Sequence, residues 1–389
     1  MKEKYDIVVV GGGPAGSWTA KNAAENGASV LVLEKDREIG LPVRCGEGIS
    51  EPGLKKLVDV KEQWIAAKIK GAELIAPNGT VVRTYASGFG YIVHRKVFDA
   101  DLAAMAAEAG AEIKTRAYVH DLIIENGKIA GVEFSHLGQA YRVKAKIVIG
   151  ADGIESRVGR WAGIDTSVPM NEMDTCVQMT LANININPEV VQFYLGKDIA
   201  PGGYLWVFPK GPRSANVGLG ISGDYSGDKK AIDYLTDFID KRFPAASVLT
   251  MVAGGVPTMK TLDTIVRDGL MLVGDAAHQI NPLSGGGILY AMIAGKCAGR
   301  VAAEAIKAND VSARRLQEYV KEWMNEGGKN NERAYRIKSV VNHFSDEELN
   351  RIGDMLKDVP PEKMTILQIF KTALVKHPKL ILDASRIFK

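Results

Sequence analysis

The sequence predicts an α/β protein: a Rossmann-like dinucleotide-binding domain, an inserted antiparallel-sheet domain and a helical C-terminal region. Three observations predict it. A β-branched run at 7–10 leads into Gly11, Gly13 and Gly16 in G-x-G-x-x-G spacing, then into a stretch with alanines at 15, 20, 23 and 24. Two later aliphatic runs end alike, in Gly150-Ala151-Asp152-Gly153 and in Gly274-Asp275-Ala276-Ala277-His278. Between them, residues 165–260 hold strand-like segments at 176–184, 191–195, 204–208 and 216–221, which suggest one antiparallel sheet.

The first element has the most specific physics. Gly11 permits a tight turn, Gly13 lets the backbone approach a pyrophosphate, and Gly16 lets the following helix sit close to the strand. The helix N-terminus offers unpaired N–H groups and the positive end of its dipole. That helix stops near Gly27, and a second apolar run, 29–33, ends at Glu34, about 20 residues after the glycines. A carboxylate there accepts from a ribose 2′-OH and repels a 2′-phosphate, so the ligand is expected to be FAD or NAD rather than NADP.

Residues 35–65 form a glycine-rich, charged loop stiffened by Pro42. Residues 66–93 read as antiparallel strands, with Asn78-Gly79 marking a hairpin. Residues 94–109 carry a helical apolar stripe that Gly110 ends. Strands follow over 112–125, Asn126-Gly127 turns a second hairpin, and 146–149 is a buried-type strand. A helix is expected at 229–242, a buried parallel-type strand at 270–273, and a long small-residue helix from the SGGG at 284–287 to about residue 308. Residues 312–389 read as helical, with a capping box at Ser345 and Glu348 and a break at Pro360-Pro361. The expected domains are therefore 1–65, 94–164 and 261–310 for the dinucleotide, 66–93 and 165–260 for the sheet, and 311–389 for the helices.

Composition sets the bounds. A chain of 389 residues exceeds one simple core. With 46 % hydrophobic residues and 24 % charged, it reads as a globular enzyme. A net charge of +3 implies no polyanionic partner such as nucleic acid. No long uncharged apolar run suggests a transmembrane helix, and the first strand begins too early for a signal peptide. Cys45, Cys176 and Cys297 show no metal-ligand spacing, so no metal is expected and a reducing cytoplasm is.

The two later acid–glycine turns carry the chemistry. Ligands of doubly wound sheets sit at the carboxyl ends of strands, so three such ends can converge on one long molecule. Asp152 can bind a sugar hydroxyl or simply cap a turn. Asp275 is followed by SGGG and a helix start, which can stabilise negative charge on a reduced ring. His278 reads as a packing or capping residue rather than a catalytic one. Tyr204, Trp206 and Phe208 alternate and so share one face of a strand, which makes either an aromatic core face or an apolar wall. Cys45 is either a small buried hydrophobe or, in its Arg-flanked glycine loop, functional.

In these motifs and their order the chain resembles the flavin hydroxylase superfamily represented by p-hydroxybenzoate hydroxylase. The resemblance implies FAD, with Gly11, Gly13, Ala15, Gly16, Glu34 and Lys35 at its ADP half, Arg95 near the pyrophosphate and Val119 by the adenine. It further implies Asp152 as a contact, Gly274 and Asp275 at the ribityl chain, and Gly286, Gly287 and Ile288 at the isoalloxazine. Two more segments narrow the match. Pro42-Val-Arg44-Cys45-Gly46-Glu-Gly48 and Pro201-Gly-Gly-Tyr204-Leu-Trp206-Val-Phe208-Pro209, with Gly218-Leu-Gly220 eight residues beyond, resemble the geranylgeranyl reductases. Within them they resemble the archaeal digeranylgeranylglycerophospholipid reductase branch.

That resemblance implies reduction of isolated C=C bonds in the isoprenoid chains of archaeal ether lipids. Arg44, Cys45, Gly46 and Gly48 would line the flavin site, and Tyr204, Trp206, Phe208, Pro209, Gly218 and Gly220 the lipid site. Cys45 is expected to shape the alkene position or assist proton delivery, with Tyr204 second. An external donor is required: ferredoxin, NADPH or a deazaflavin. The alternatives are an aromatic monooxygenase of the same fold using NAD(P)H and oxygen, and a membrane-docked flavin electron carrier, against which stands the lack of cysteine after Cys297. The basic, apolar run 366–389 suits a peripheral membrane contact as a surface helix pair, or a helix packed on its own domain with a solvated basic face.

Overall fold

The structure, a computed structural model, describes residues 2–225, 227, 229–342 and 344–364. The chain opens with β1 (Lys4–Val10), α1 (Pro14–Glu25), β2 (Val30–Leu33), β3 (Gly48–Ile49), α2 (Glu51–Lys55), β4 (Ile65–Ile75), β5 (Val81–Val93) and α3 (Arg95–Glu108). It continues through β6 (Glu112–Lys114), β7 (Ala117–Glu125), β8 (Lys128–His136), β9 (Gln139–Gly150), α4 (Arg157–Trp161), β10 (Met173–Ala182), β11 (Val190–Tyr194), β12 (Tyr204–Gly211) and β13 (Ser214–Ser222). There follow α5 (Ala231–Arg242), β14 (Ser247–Pro257), β15 (Val266–Arg267), β16 (Leu270–Leu272), α6 (Ile288–Lys307), α7 (Ala313–Trp323), α8 (Lys329–Val341) and α9 (Asp346–Leu356).

Two compact units result: residues 1–43, 95–168 and 257–332, and residues 44–94, 169–256 and 333–389. This division puts 44–65 with the second unit and 311–332 with the first. The run 366–389 lies outside the described residues.

The first unit is built on a sheet ordered β15-β16-β9-β1-β2-β6, with β7 and β8 extending β9 as an antiparallel meander. From β16 to β6 the strands run parallel. Ile7, Val8 and Val9 are fully buried, as a strand covered on both faces requires. The register sets Val10 beside both Leu33 and Gly150, and Gly150 beside Leu272. The carboxyl ends of four strands therefore lie side by side. Helices α1 and α6 meet through small residues: a Cβ on Gly295 would come within 2.9 Å of the Ala15 carbonyl oxygen, and one on Gly299 within 2.5 Å of that of Thr19.

The second unit carries a sheet ordered β14-β10-β13-β12-β11-β4-β5-β3. Leu205, Val207, Val217 and Leu219 form one buried cluster with Leu235 and Ile239 of α5. One pairing departs from the antiparallel expectation: β11 runs parallel to β4. The two strands are joined by a long excursion through the first unit, and only such a crossover permits parallel pairing. The β4–β5 hairpin forms, yet Pro77 sets its turn so that Gly79, at φ 85°, donates to Ala76 and Asn78 precedes the left-handed position. Ser345 and Glu348 form the expected capping box of α9. Among the described residues no helix is long and apolar enough to cross a membrane.

Candidate functional site

In the first unit, three turns meet at the strand ends. Gly11 has φ 106°, and a Cβ there would strike the Ala151 carbonyl, so glycine is what lets the first turn touch the second. At Gly13, among the described residues, nothing beyond the chain neighbours lies within 4 Å of where a Cβ would be. Gly13 caps α1 without a side-chain bond and Pro14 occupies the first turn, which leaves backbone N–H groups available. Glu34 is fixed beside this turn, accepting from Gly12 N–H at 2.7 Å and from Asp36 N–H at 2.8 Å. Lys35 lies on the surface in a 3.0 Å ion pair with Glu155. Val119 is buried in the core of this unit.

The second and third turns complete the cradle. Asp152 Oδ2 accepts from Val158 N–H at 3.0 Å, while Oδ1 is buried with no hydrogen-bond partner among the described residues. Burial raises the Asp152 pKa against the pull of that backbone N–H. Burial also raises Asp275, partly offset by the Arg95 guanidinium. Arg95 is itself aimed by Asp99, with two bonds of 2.7 Å in a largely buried pair. A Cβ on Gly287, the N-cap of α6, would sit 3.3 Å from Asp275 Oδ1, and one on Gly274 2.8 Å from the Ala15 Cβ. Asp275, Gly287 and Ile288 thus converge, and the first and third turns touch. Gly286 belongs to the turn that leads into this cap, its N–H donating to Ser284 Oγ.

Sequence reasoning missed what holds the third turn. Gln279 accepts from Gly274 N–H at 2.8 Å and donates to Tyr319 OH at 2.7 Å, and that hydroxyl donates to the Leu272 carbonyl at 2.9 Å. A glutamine directly after the motif is the local signal in the sequence, and the structure buries it fully; Tyr319 arrives from α7 with no such signal.

His278 is wholly buried at φ 56°, and burial pushes its imidazole down to about 4 from 6.5. Between those values the unfolded chain binds a proton that the folded one does not, so stability falls as pH falls from 6.5 to 4. The loss should reach about 2 to 3 kcal/mol at pH 4. His278→Asn keeps a residue that tolerates the left-handed backbone and should flatten this part of the profile. Melting temperatures of both proteins from pH 7 to pH 4 check it; parallel profiles refute it.

In the second unit, the two segments singled out in the sequence come together. Tyr204 and Trp206 on β12 stand opposite Gly220 and Gly218 on β13. Their rings, with Phe208 and Phe193 of β11, form a wall with centroids 5.5–6.2 Å apart. Phe193 was not singled out, although alternation along 191–195 puts it on a face with Val191. Pro209 follows on the same strand at a register shift.

The Cys45 loop lies on this wall: a Cβ on Gly46 or Gly48 would meet the Phe208 ring at 3.0 and 3.1 Å. Gln178, also missed, clasps the two, donating to the Cys45 carbonyl and accepting from Trp206 Nε1, both at 3.0 Å. Cys45 is half-buried and Arg44 exposed. Burial drives the Tyr204 phenol well above its ordinary range, with Cys176, Asp174 and Cys45 adding to the shift.

The geranylgeranyl reductase catalytic domain family model matches residues 172–256, and that of FAD dependent oxidoreductases residues 6–43. A digeranylgeranylglycerophospholipid reductase of Methanosarcina acetivorans is 47 % identical over 396 residues, covering 100 % of this chain and 97 % of the relative. One from Methanococcoides burtonii is 46 % identical over 393 residues, with the same coverage. The crystal structure of a geranylgeranyl bacteriochlorophyll reductase-like protein from Thermoplasma acidophilum superposes with a TM-score of 0.94 at 37 % identity, covering 99 % of each chain. A flavin-dependent brominase, Bmp2, at 20 % identity and a TM-score of 0.72 over 97 % of this chain and 99 % of its own, shares the fold.

Proposed function

The chain belongs to the digeranylgeranylglycerophospholipid reductase family, and from that premise we propose that it hydrogenates isolated C=C bonds in the geranylgeranyl chains of archaeal ether lipids, leaving saturated phytanyl chains. It is an FAD-dependent oxidoreductase acting on geranylgeranyl lipid chains.

The residues of the first unit suit FAD, because, among the described residues, nothing fills the space at Gly13 and Asp152 Oδ1 is buried without a hydrogen-bond partner. Gly11, Gly13, Ala15, Gly16 and Arg95 would hold the pyrophosphate, Glu34 and Lys35 the ribose side, and Val119 the adenine. Asp152, Gly274, Asp275, Gly286, Gly287 and Ile288 would hold the remainder. Bound and reduced, FAD supplies a hydride equivalent.

The observation that carries the lipid assignment is the four-ring wall with the Cys45 loop laid against it. An unactivated alkene accepts hydride poorly unless it is also protonated or polarised in a dry site. The wall, floored by Gly218 and Gly220, would bind and align the polyprenyl chain. The buried phenol of Tyr204 keeps its proton at neutral pH; Cys45, or Tyr204 after it, would deliver a proton to the second alkene carbon. Two electrons per bond would come from ferredoxin, NADPH or a deazaflavin, and a lipid substrate favours peripheral contact with the membrane surface.

Mixing reduced holoenzyme anaerobically with geranylgeranyl lipid should reoxidise the flavin and yield saturated chains by mass spectrometry. Reduced flavin that persists with every lipid form offered refutes the reading.

A further inference from the structure

The polar groups beneath the cysteine loop form a cluster that the chemistry above leaves unused. Glu47 stands at φ 70°, a region glutamate seldom enters, and is only 4 % exposed. Its Oε2 accepts from Lys210 Nζ at 2.5 Å and from Asn216 Nδ2 at 2.6 Å. Asn216 is almost fully buried; it also donates to the Gly46 carbonyl at 3.4 Å and accepts from Thr180 Oγ1 at 2.8 Å. On the backbone, the Glu47 carbonyl accepts from Val93 N–H at 2.9 Å, and the Glu47 N–H donates to Cys45 Sγ at 3.2 Å. A left-handed glutamate and a desolvated ion pair are both costly, and surrounding structure must over-determine them. Val93, Lys210 and Asn216, which grip Glu47, lie on strands of the same sheet: β5, β12 and β13.

We infer that Glu47 is a positioning residue for the reaction: clamped by Lys210 and Asn216, it holds the 45–48 turn in one conformation and so fixes the Cys45 sulfur against the Tyr204–Trp206–Phe208 wall. The inference rests on the reductase reading only for the use made of that sulfur; the clamp itself is a property of the second unit. Removing the carboxylate frees the turn without touching a group that meets the substrate. Replacing Glu47 alone strands the Lys210 ammonium, so a variant without either charge is needed beside it.

The experiment uses the FAD-loaded enzyme, its Glu47→Gln variant and the double variant Glu47→Gln/Lys210→Met. Alkylation of Cys45 by iodoacetamide is followed by peptide mass spectrometry, with buried Cys297 as an internal reporter of global loosening. In both variants Cys45 should alkylate about tenfold faster while Cys297 does not change. The kcat for geranylgeranyl reduction should fall about tenfold or more, with KM within about threefold of wild type and FAD content unaltered.

A wild-type Cys45 rate in Glu47→Gln overturns the clamp. So does recovery of that rate in the double variant, because the damage would then belong to the stranded lysine. Equal acceleration of Cys45 and Cys297 in both variants makes Glu47 a support of the whole fold, and faster alkylation at unchanged kcat removes it from the reaction; either overturns the proposal. If the wild-type enzyme reduces no geranylgeranyl lipid, the reductase reading falls, while the alkylation rates still decide whether Glu47 holds the loop.

Discussion

Alanine at position 16 is expected to give a protein that is isolated colourless. A Cβ there would collide with the Gly11 carbonyl oxygen, lie 3.0 Å from its carbon and come within 3.2 Å of the Ala151 Cβ. The first two obstacles are backbone, so no rotamer change relieves them and α1 must move off β1. Overpacking of this kind costs about 1–3 kcal/mol. The movement also takes the first-turn N–H groups away from where a pyrophosphate would sit. Gly13→Ala is the matched contrast. Among the described residues no atom beyond the chain neighbours lies within 4 Å of a Cβ there, and its backbone is extended, so the apoprotein should melt as wild type does while the methyl group occupies the ligand's space. Flavin absorbance per chain and apoprotein melting temperature check both. Full flavin occupancy in Gly16→Ala would refute the placement of the cofactor at this turn.

Gly218→Ala is expected to leave the flavin content intact and to lower kcat/KM for lipid reduction about a hundredfold. Its Cβ would lie 2.5 Å from Cζ2 and 2.7 Å from Cε2 of Trp206, and 2.8 Å from the Val177 carbonyl oxygen. The indole cannot simply swing away. It is bonded to Gln178 and hemmed by the Tyr204 and Phe208 rings. The displacement therefore runs along the whole wall, and misplacement by about 1 Å is enough for a loss of this size. Steady-state turnover of geranylgeranyl lipid beside flavin content is the measurement. Wild-type turnover would remove the aromatic strand from the reaction.

What was legible in the sequence is what short-range pattern encodes. The first glycine turn, the acids at 152 and 275 and the alternation of Tyr204, Trp206 and Phe208 are each written within a dozen residues. Parallel pairing then brings the three turns together, because strands of one parallel sheet end on one side. The polar supports were not legible. Glu47 finds Lys210 and Asn216 at separations of 163 and 169 residues, and Gln178 reaches Cys45 over 133. Periodicity tells which face a residue occupies; it does not name the distant group that satisfies it. The parallel pairing of β4 with β11 escaped for the same reason. Both strands alternate as antiparallel strands do, and only the route of the connecting chain distinguishes them. At Asn78-Gly79 the dipeptide marked the hairpin that forms, while its turn geometry follows from the φ constraint of Pro77 one residue earlier.

The glycine-to-backbone seam between α1 and α6 has a mechanical consequence. One helix begins at the phosphate-type turn and the other at Gly287, so the two termini that would grip opposite halves of a dinucleotide are joined by one close-packed seam. Such a receptacle is preorganised: little conformational freedom remains to be lost when the guest arrives, and none is regained when it tries to leave. With FAD seated there, this seam would favour slow escape of the prosthetic group over a fast search for it.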